Sequence, residues 1–411
     1  MIPLPVDEIR ALGRLESHVE QVTGIEIDSR RVGPGDLFVA VRGGVAYLQQ
    51  ARKSGAATLV PDDDFAAMAA LGRAVRERSD AAVVGITGST GKTSTKDILA
   101  ALCRPHRRTI AAEASYNAEL GVPLTLCRLE PDTKLLIAEL AMRGFGQIAA
   151  LCAVARPTLG VITAIGPVHL QFVESVAGVA RAKAELLEAL PRGAKAVVPA
   201  DAAELEPYLR GDLEVVRVGH DVRLRSFREG RFEADVGGEL VELELPFSAQ
   251  HQVENTITAV AAYWALGLPL DRIGAGAQQI ELSRLRGEEL PLSGGGVLIN
   301  DCWNANPASM TAALRDLVGR NGGRRIAVLG GMAELGPEGP RYHREIGALT
   351  TGLDVVVGVG ELARDYGPTH WAADAQAAAK LVRELLEPGD VVLVKGSRAV
   401  GLERVAQNLV S

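Results

Sequence analysis

Four cysteines in 411 residues, none paired at CxxC spacing, are too few and too scattered for a disulfide scaffold or a zinc cage. Cys103, Cys127, Cys152 and Cys302 read as free thiols in a reducing compartment. Aromatic residues make up only 4% of the chain, which argues against a surface built to stack sugars or bases. Basic charge is not in excess: 44 Lys and Arg face 51 Asp and Glu, for a net charge of −7. That excludes a nucleic-acid backbone as the main partner, because such proteins concentrate Lys and Arg. An anionic small molecule remains allowed, since it needs only a local basic pocket. No run approaches the roughly 18 apolar residues of a membrane span. The first nine residues carry Asp7 and Glu8 where a signal peptide carries cations. The expectation is a soluble, cytoplasmic protein without a membrane or nucleic-acid partner.

Glycine (45) and proline (20) are plentiful, and 47% of residues are hydrophobic. That mixture suits α/β packing with many tight strand-to-helix turns. At about 150 residues per domain the length allows two or three domains. Residues 1–80 hold three short apolar runs, at Gly24–Arg30, Gly35–Val41 and Ala57–Val60, and then a helix over 64–78. They read as a small α/β unit. Residues 81–282 alternate strands and helices, with strands predicted at 81–87, 134–140, 159–165 and 194–198. Alternation of this kind implies a mostly parallel sheet. A period-two hairpin turns at Gly237-Gly238. Residues 283–411 repeat the α/β pattern with apolar strands at 296–301, 325–331, 354–360 and 390–396.

The most informative segment is Gly85-Ile-Thr-Gly88-Ser89-Thr90-Gly91-Lys92-Thr93. It follows a strand and opens a helix. Gly88 and Gly91 leave backbone N–H groups free to face a phosphate, and the helix N-terminus adds positive potential. Lys92 reaches outer phosphates, and the Thr93 hydroxyl suits Mg²⁺. The general pattern GxxxxGK[ST] wants its first glycine at position 86, where Ile86 stands. A loop of this kind says nucleotide without saying which reaction: kinase, GTPase, ATPase or ligase.

Thr87–Thr93 resembles the ATP loop of the Mur ligase family, which adds amino acids to the cell-wall precursor. Further segments match in the family's order across nearly the whole chain: Asn117, Glu139, Thr163–Leu170 with His169, Ala182-Lys183, His251–Asn255 and Ser283-Arg284-Leu285. Asn300-Asp301-Cys-Trp303-Asn304-Ala-Asn306-Pro, Gly331–Gly336 with Glu334, Lys395-Gly-Ser-Arg398 and Asp28-Ser29-Arg30 resemble the branch that joins D-alanyl-D-alanine to a UDP-N-acetylmuramoyl-tripeptide. The chain departs from the family pattern in places. Ser89-Thr90 replaces Thr-Asn, Trp303 a Tyr and Gly331 an Asp, and the loop between Gly44 and Tyr47 is shortened.

The resemblance implies an α/β fold in three domains. These are a small N-terminal UDP-substrate domain (1–80), a central P-loop parallel-sheet domain that binds ATP (81–282) and a Rossmann-like C-terminal domain for the dipeptide (283–411). It implies an ADP-forming ligase in peptidoglycan precursor synthesis, acting as a monomer on ATP, Mg²⁺, UDP-MurNAc-tripeptide and D-Ala-D-Ala. ATP is expected on Gly88, Ser89, Thr90, Gly91, Lys92, Thr93, Asn255, Arg284 and Asp301. Mg²⁺ is expected on Thr93, Glu139, His169 and a carbamylated Lys183, with Lys92, Lys183 and His169 as the catalytic set. Substrate contacts are expected from Ser29, Arg30, Asn304, Asn306, Lys395 and Arg398. Taken singly, these residues allow plainer readings. Glu139 suits a strand-end ion pair, His169 a loop, Lys183 a solvated helix face, and Asn304 and Asn306 a turn before Pro307. A related ligase for another substrate, or a non-catalytic nucleotide-binding relative, also stays open.

Overall fold

The computed structural model describes residues 1–320 and 322–410. Beside a small two-stranded sheet that pairs Leu4–Pro5 with Gln21–Val22, three larger sheets follow one another along the chain. The first has four strands in the order Gly13–Glu16, Ala57–Pro61, Asp36–Val39, Gly24–Glu26. Only the pairing of Gly13–Glu16 with Ala57–Pro61 is antiparallel. The helix Asp64–Glu77 leaves this sheet, capped by the Asp63 carboxylate on the Ala66 N–H. It packs against the helix Gly121–Leu126, where a Cβ on Gly72 would lie 2.8 Å from the Pro123 backbone.

The central sheet has nine strands. Its parallel heart runs Lys195–Pro199, Leu159–Ile162, Ala82–Thr87, Leu135–Glu139, Thr109–Ala111. These strands lie between helices on both faces, so they are apolar throughout rather than alternating. The predicted hairpin is present as Arg231–Val236 and Glu239–Glu244. It is the outer part of a three-stranded antiparallel extension that also includes Val222–Arg228, a strand the sequence did not announce. Phe232, Ala234, Val236, Val241 and Leu243 point inward from it, in one cluster with Val253, Ile257 and Tyr263 of the helix Gln250–Ala265.

The third sheet runs Glu288–Pro291, Val297–Asp301, Val391–Lys395, Arg325–Gly330, Val355–Val359, His370–Ala372. It is parallel except at the Glu288–Pro291 edge, which lies in what reads as a charged linker. The three sheets do not have fully separate cores. One buried apolar cluster runs from Ile2 and Leu37 through Leu71, Val83 and Leu124 to Leu314 and Leu393. Charge adds a second tie: Arg31 and Arg128 both pair with Glu26 and Glu113, and the two guanidiniums hold the Glu113 carboxyl down at about 2.

The P-loop helix Lys92–Cys103 is gripped from outside by the short helix Gly274–Ala277. A Cβ on Gly276 would sit 2.2 Å from the Ala101 carbonyl oxygen, so only glycine permits this approach. Gly276→Val is expected to destabilise the protein by about 1–3 kcal/mol through overpacking. Urea unfolding followed by circular dichroism measures it, and an unchanged midpoint would show that the two helices separate freely.

Candidate active site

The site lies where the strands Ala82–Thr87, Leu135–Glu139 and Leu159–Ile162 end at their carboxyl side, the usual place for a ligand in an open parallel sheet. The loop after Thr87 is braced by the next strand's exit. Ser89 N donates to Ala164 O (2.9 Å), and Ser89 Oγ and Gly166 N are 3.0 Å apart. Thr163 Oγ1 donates to Thr90 O. A Cβ on Gly88 would stand 1.9 Å from Thr163 Oγ1, and one on Gly91, at φ +78°, would stand 2.2 Å from Asn255 Oδ1. Both glycines are therefore required by close approach. Lys92 Nζ donates back to Gly88 O at 2.7 Å.

Thr93 Oγ1 donates to Glu139 Oε2 at 2.9 Å, and Asn117 Nδ2 donates to Glu139 Oε1 at 2.8 Å. Both Thr93 and Glu139 are buried. Sequence reading missed the support for this pair. Lys96, four residues into the helix, is 1% exposed and donates to Ala112 O and Ala114 O at 2.6 and 2.9 Å. That fixes the segment that presents Ser115 and Asn117. The neighbouring Asp97 pairs with Lys96 and accepts from Ser283 N at 2.9 Å, tying the same helix to the crossing into the third sheet.

Lys183 lies on the buried side of the helix Val176–Ala189, between Ala182 and Ala184. It is 2% exposed and makes no hydrogen bond or ion pair among the described residues. The solvated-helix alternative is thereby overturned. Burial first, and Lys92 second, push its pKa well below the ordinary lysine value. Burial disfavours the charged form of such an amine, because no partner repays the desolvation of its charge. His169 sits nearby in a left-handed backbone conformation (φ +54°). Its Nδ1 lies 2.5 Å from Glu334 Oε2. Burial lowers its pKa against the pull of Glu334, and Lys183 and Lys92 lower it further.

The third sheet reaches the P-loop at its own strand ends. Asn306 Nδ2 donates to Ser89 O at 3.3 Å, and the same side chain caps the helix Pro307–Gly319 in a capping box with Ser309. The expected arginine is displaced by two residues. Arg284 is exposed and lies 3.7 Å from Glu288, whereas Arg286 Nη2 donates to Thr93 Oγ1 at 3.0 Å and to Ser115 Oγ at 3.3 Å. The intervening Leu285 has φ +64°, which turns the chain so that the two arginines leave on different sides.

Other expected contacts are already engaged. Lys395 Nζ, 2% exposed, pairs with Asp301 Oδ2 at 2.6 Å and donates to Asn304 O at 3.2 Å, so its ammonium holds the Asp301 strand end. Asn304 Oδ1 accepts from Ala305 N in a turn. Arg398 pairs with Glu403 at 2.7 Å and covers the Trp303 ring, whose centroid lies 5.2 Å from Arg398 Cζ and 5.7 Å from Arg286 Cζ. In the first sheet's loop, Arg30 turns its fork onto Asp28, and Ser29 Oγ donates to Gln50 Oε1 at 3.0 Å. Local sequence could not give these pairings, since charge partners two residues away compete with any ligand. All four cysteines are buried, and burial raises each thiol to about 12.

The family pattern for the Mur ligase middle domain matches residues 86–263, and that for the Mur ligase glutamate ligase domain matches residues 286–398. The UDP-N-acetylmuramoyl-tripeptide–D-alanyl-D-alanine ligase of Mycobacterium tuberculosis is 35% identical, over 95% of this chain and 93% of that protein. Its Escherichia coli counterpart is 30% identical over 97% and 96%. Among solved structures, MurF from Acinetobacter baumannii superposes with a TM-score of 0.87 at 26% identity, covering 99% of both chains. The Thermotoga maritima MurF ligase, solved with ADP, gives 0.81 at 26% identity over 94% and 96%. The chain belongs to the Mur ligase family, with the UDP-N-acetylmuramoyl-tripeptide–D-alanyl-D-alanine ligases as its near relatives.

Proposed function

We propose that this chain is an ADP-forming ligase that joins the terminal carboxylate of UDP-N-acetylmuramoyl-tripeptide to the amino group of D-alanyl-D-alanine in peptidoglycan precursor synthesis. The named relatives support the substrates. The observation that carries the chemistry is a buried, unpaired Lys183 beside Lys92, with the Thr93–Glu139 pair at the same strand ends. We take three units, 1–80, 81–282 and 283–411, and the succession of larger sheets along the chain supports them. No helix among the described residues is long and apolar enough to cross a membrane, which suits a cytoplasmic precursor enzyme.

The carboxylate is a poor electrophile, so it is activated first. Its oxygen attacks the γ-phosphorus of ATP, the bond to the bridging oxygen breaks, and ADP leaves. The dipeptide amine then attacks the acyl phosphate carbonyl, loses a proton, and phosphate departs. Two anions must meet in the first step, and Lys92 is the fixed cation that opposes their repulsion. Its Nζ donates to Gly88 O, within the loop that would receive the phosphates. Arg286 stands at Thr93 from the opposite sheet and takes the place expected for Arg284 against the nucleotide. Asn255, against Gly91, offers both donor and acceptor to the adenine. Asp301, held by Lys395, is assigned to the ribose hydroxyls.

The donors fit Mg²⁺. Thr93 Oγ1 and Glu139 Oε2 are hard oxygens 2.9 Å apart. No group of three or more His, Cys, Asp or Glu side chains among the described residues could hold a metal ion, so phosphate oxygens and water must complete the sphere. Bound there, Mg²⁺ neutralises phosphate charge and favours the approach of the carboxylate. His169 and Lys183 are the donors for a second ion. A neutral Lys183 amine forms an N–C bond to CO₂ and releases a proton, and the resulting carbamate supplies oxygen ligands. Contacts of the third sheet with the P-loop shield the acyl phosphate from water. Lys92, Glu139, His169 and Lys183 are all retained in the sequence, which disfavours a non-catalytic relative.

Purified protein given ATP, Mg²⁺, UDP-MurNAc-tripeptide and D-Ala-D-Ala is expected to release phosphate only when the dipeptide is present. The product mass should equal the two substrates less one water, and dipeptide-independent phosphate release would sink the reading. Lys183→Ala should lower kcat by about 100-fold or more, the scale of losing one charge-stabilising group. Added formate or acetate should restore part of it. Absence of any restoration would count against an oxygen-ligand role for this side chain.

A further inference from the structure

The contact between His169 and Glu334 joins residues 165 positions apart, on two different sheets' exits. Three independent ties fix Glu334 there. Its Oε2 meets His169 Nδ1 at 2.5 Å, its Oε1 lies 3.1 Å from Arg143 Nε, and its backbone oxygen accepts from Gln171 N at 3.2 Å. Glu334 itself has φ +62°, an uncommon conformation for a side chain of this size, which holds only where the surroundings impose it.

Those surroundings are visible. Met332 N donates to His343 Nε2 at 2.9 Å, and His343 Nδ1 meets Gly339 O at 2.7 Å, with the ring fully buried. Tyr366 OH donates to Gly330 O at 3.0 Å, and its ring stacks beside His343. Ala333 N donates to Ser397 Oγ at 2.9 Å, so the loop also hangs on the segment Lys395–Arg398. The loop is rigid on its own sheet and presents one carboxylate to the central sheet.

We infer that Glu334 is a positioning residue for His169: its carboxylate accepts a hydrogen bond from Nδ1–H and thereby leaves Nε2 as the lone-pair nitrogen available to a metal. An ionised carboxylate only accepts, so the nitrogen facing it must carry the proton, and the other nitrogen of a neutral ring is then bare. Carboxylate-supported histidines are the common arrangement behind metal ligands, and losing the support typically costs 10–100-fold in metal affinity. Because Glu334 arrives from the third sheet, the ligand is oriented only when the two sheets meet as they do here. Domain approach and metal readiness become a single event. Arg143 pairs with the other carboxylate oxygen and helps aim it, and its guanidinium does not itself meet the ring in any contact described.

The inference rests on reading His169 as a metal ligand, and its test separates the two. Metal-free protein labelled with ¹⁵N-histidine reports the ring tautomer by NMR without substrate, the His169 signals being identified by their loss in His169→Ala. In wild type the proton should be on Nδ1. Glu334→Gln, whose amide oxygen still accepts, should preserve it. Glu334→Ala should lose the preference and raise the Mg²⁺ concentration for half-maximal phosphate release by about 10-fold or more, with kcat at saturating Mg²⁺ changing less. A wild-type proton on Nε2, or an unchanged Mg²⁺ requirement in Glu334→Ala, would overturn the proposal. A correct tautomer in a protein that forms no dipeptide product would instead fault the ligase reading.

Discussion

Lys183 is 2% exposed and its amino group has no carboxylate, hydroxyl or carbonyl partner among the described residues, so a charge there would lose most of its hydration with no ion pair in return. The rest of the centre is consistent with that constraint. Lys92 lies near enough to raise the cost of charging it, and burial lowers the His169 pKa against the pull of Glu334. A site meant to hold a polyanion would ordinarily gather cations. Under the proposed function one lysine, Lys92, is left to meet phosphate, while the other, Lys183, has the role of a carbamylated ligand. The overall charge of −7 is no obstacle to anionic substrates, because the local chemistry is set by a few enclosed groups.

The second feature is that neither sheet owns the site. Arg286 meets Thr93, Asn306 meets Ser89 and Glu334 meets His169, each carried by the third sheet onto a different part of the central one. Each contact touches a group assigned to phosphate or metal. Small rotations between the sheets would therefore be felt at the P-loop and at the histidine together. Trp303, between Arg286 and Arg398, links this seam to the strand end that carries Asp301 and Lys395. A Trp at this point offers both arginines a broader π face than the Tyr of the family pattern.

Much of this was legible in the sequence wherever the signal is local. The P-loop, its strand and its helix are read from nine consecutive residues, and the parallel strands from unbroken apolar runs. Glu139, His169 and Lys183 were recognisable only through a resemblance carried over the whole chain, since alone each had a plainer reading. What escaped has a physical cause. Arg284 and Arg286 differ by two positions, and a left-handed Leu285 decides which one turns inward. Arg30 and Lys395 look like free cations in sequence but have acidic partners, Asp28 two residues away and Asp301 94 away. Lys96 reads as a surface helix lysine, yet it is buried to hold the loop that presents Asn117. The strand Val222–Arg228 carries three exposed arginines and no apolar run to mark it.

The state of the Lys183 nitrogen tests this account most directly. Protein equilibrated with ¹³C-bicarbonate near neutral pH should show one carbamate carbon resonance by NMR. It should vanish in Lys183→Ala and persist in a variant of an exposed lysine such as Lys53. A folded wild-type protein with no such resonance, or with one that survives Lys183→Ala, would contradict the claim that this buried amine carries a carbamate as an oxygen ligand.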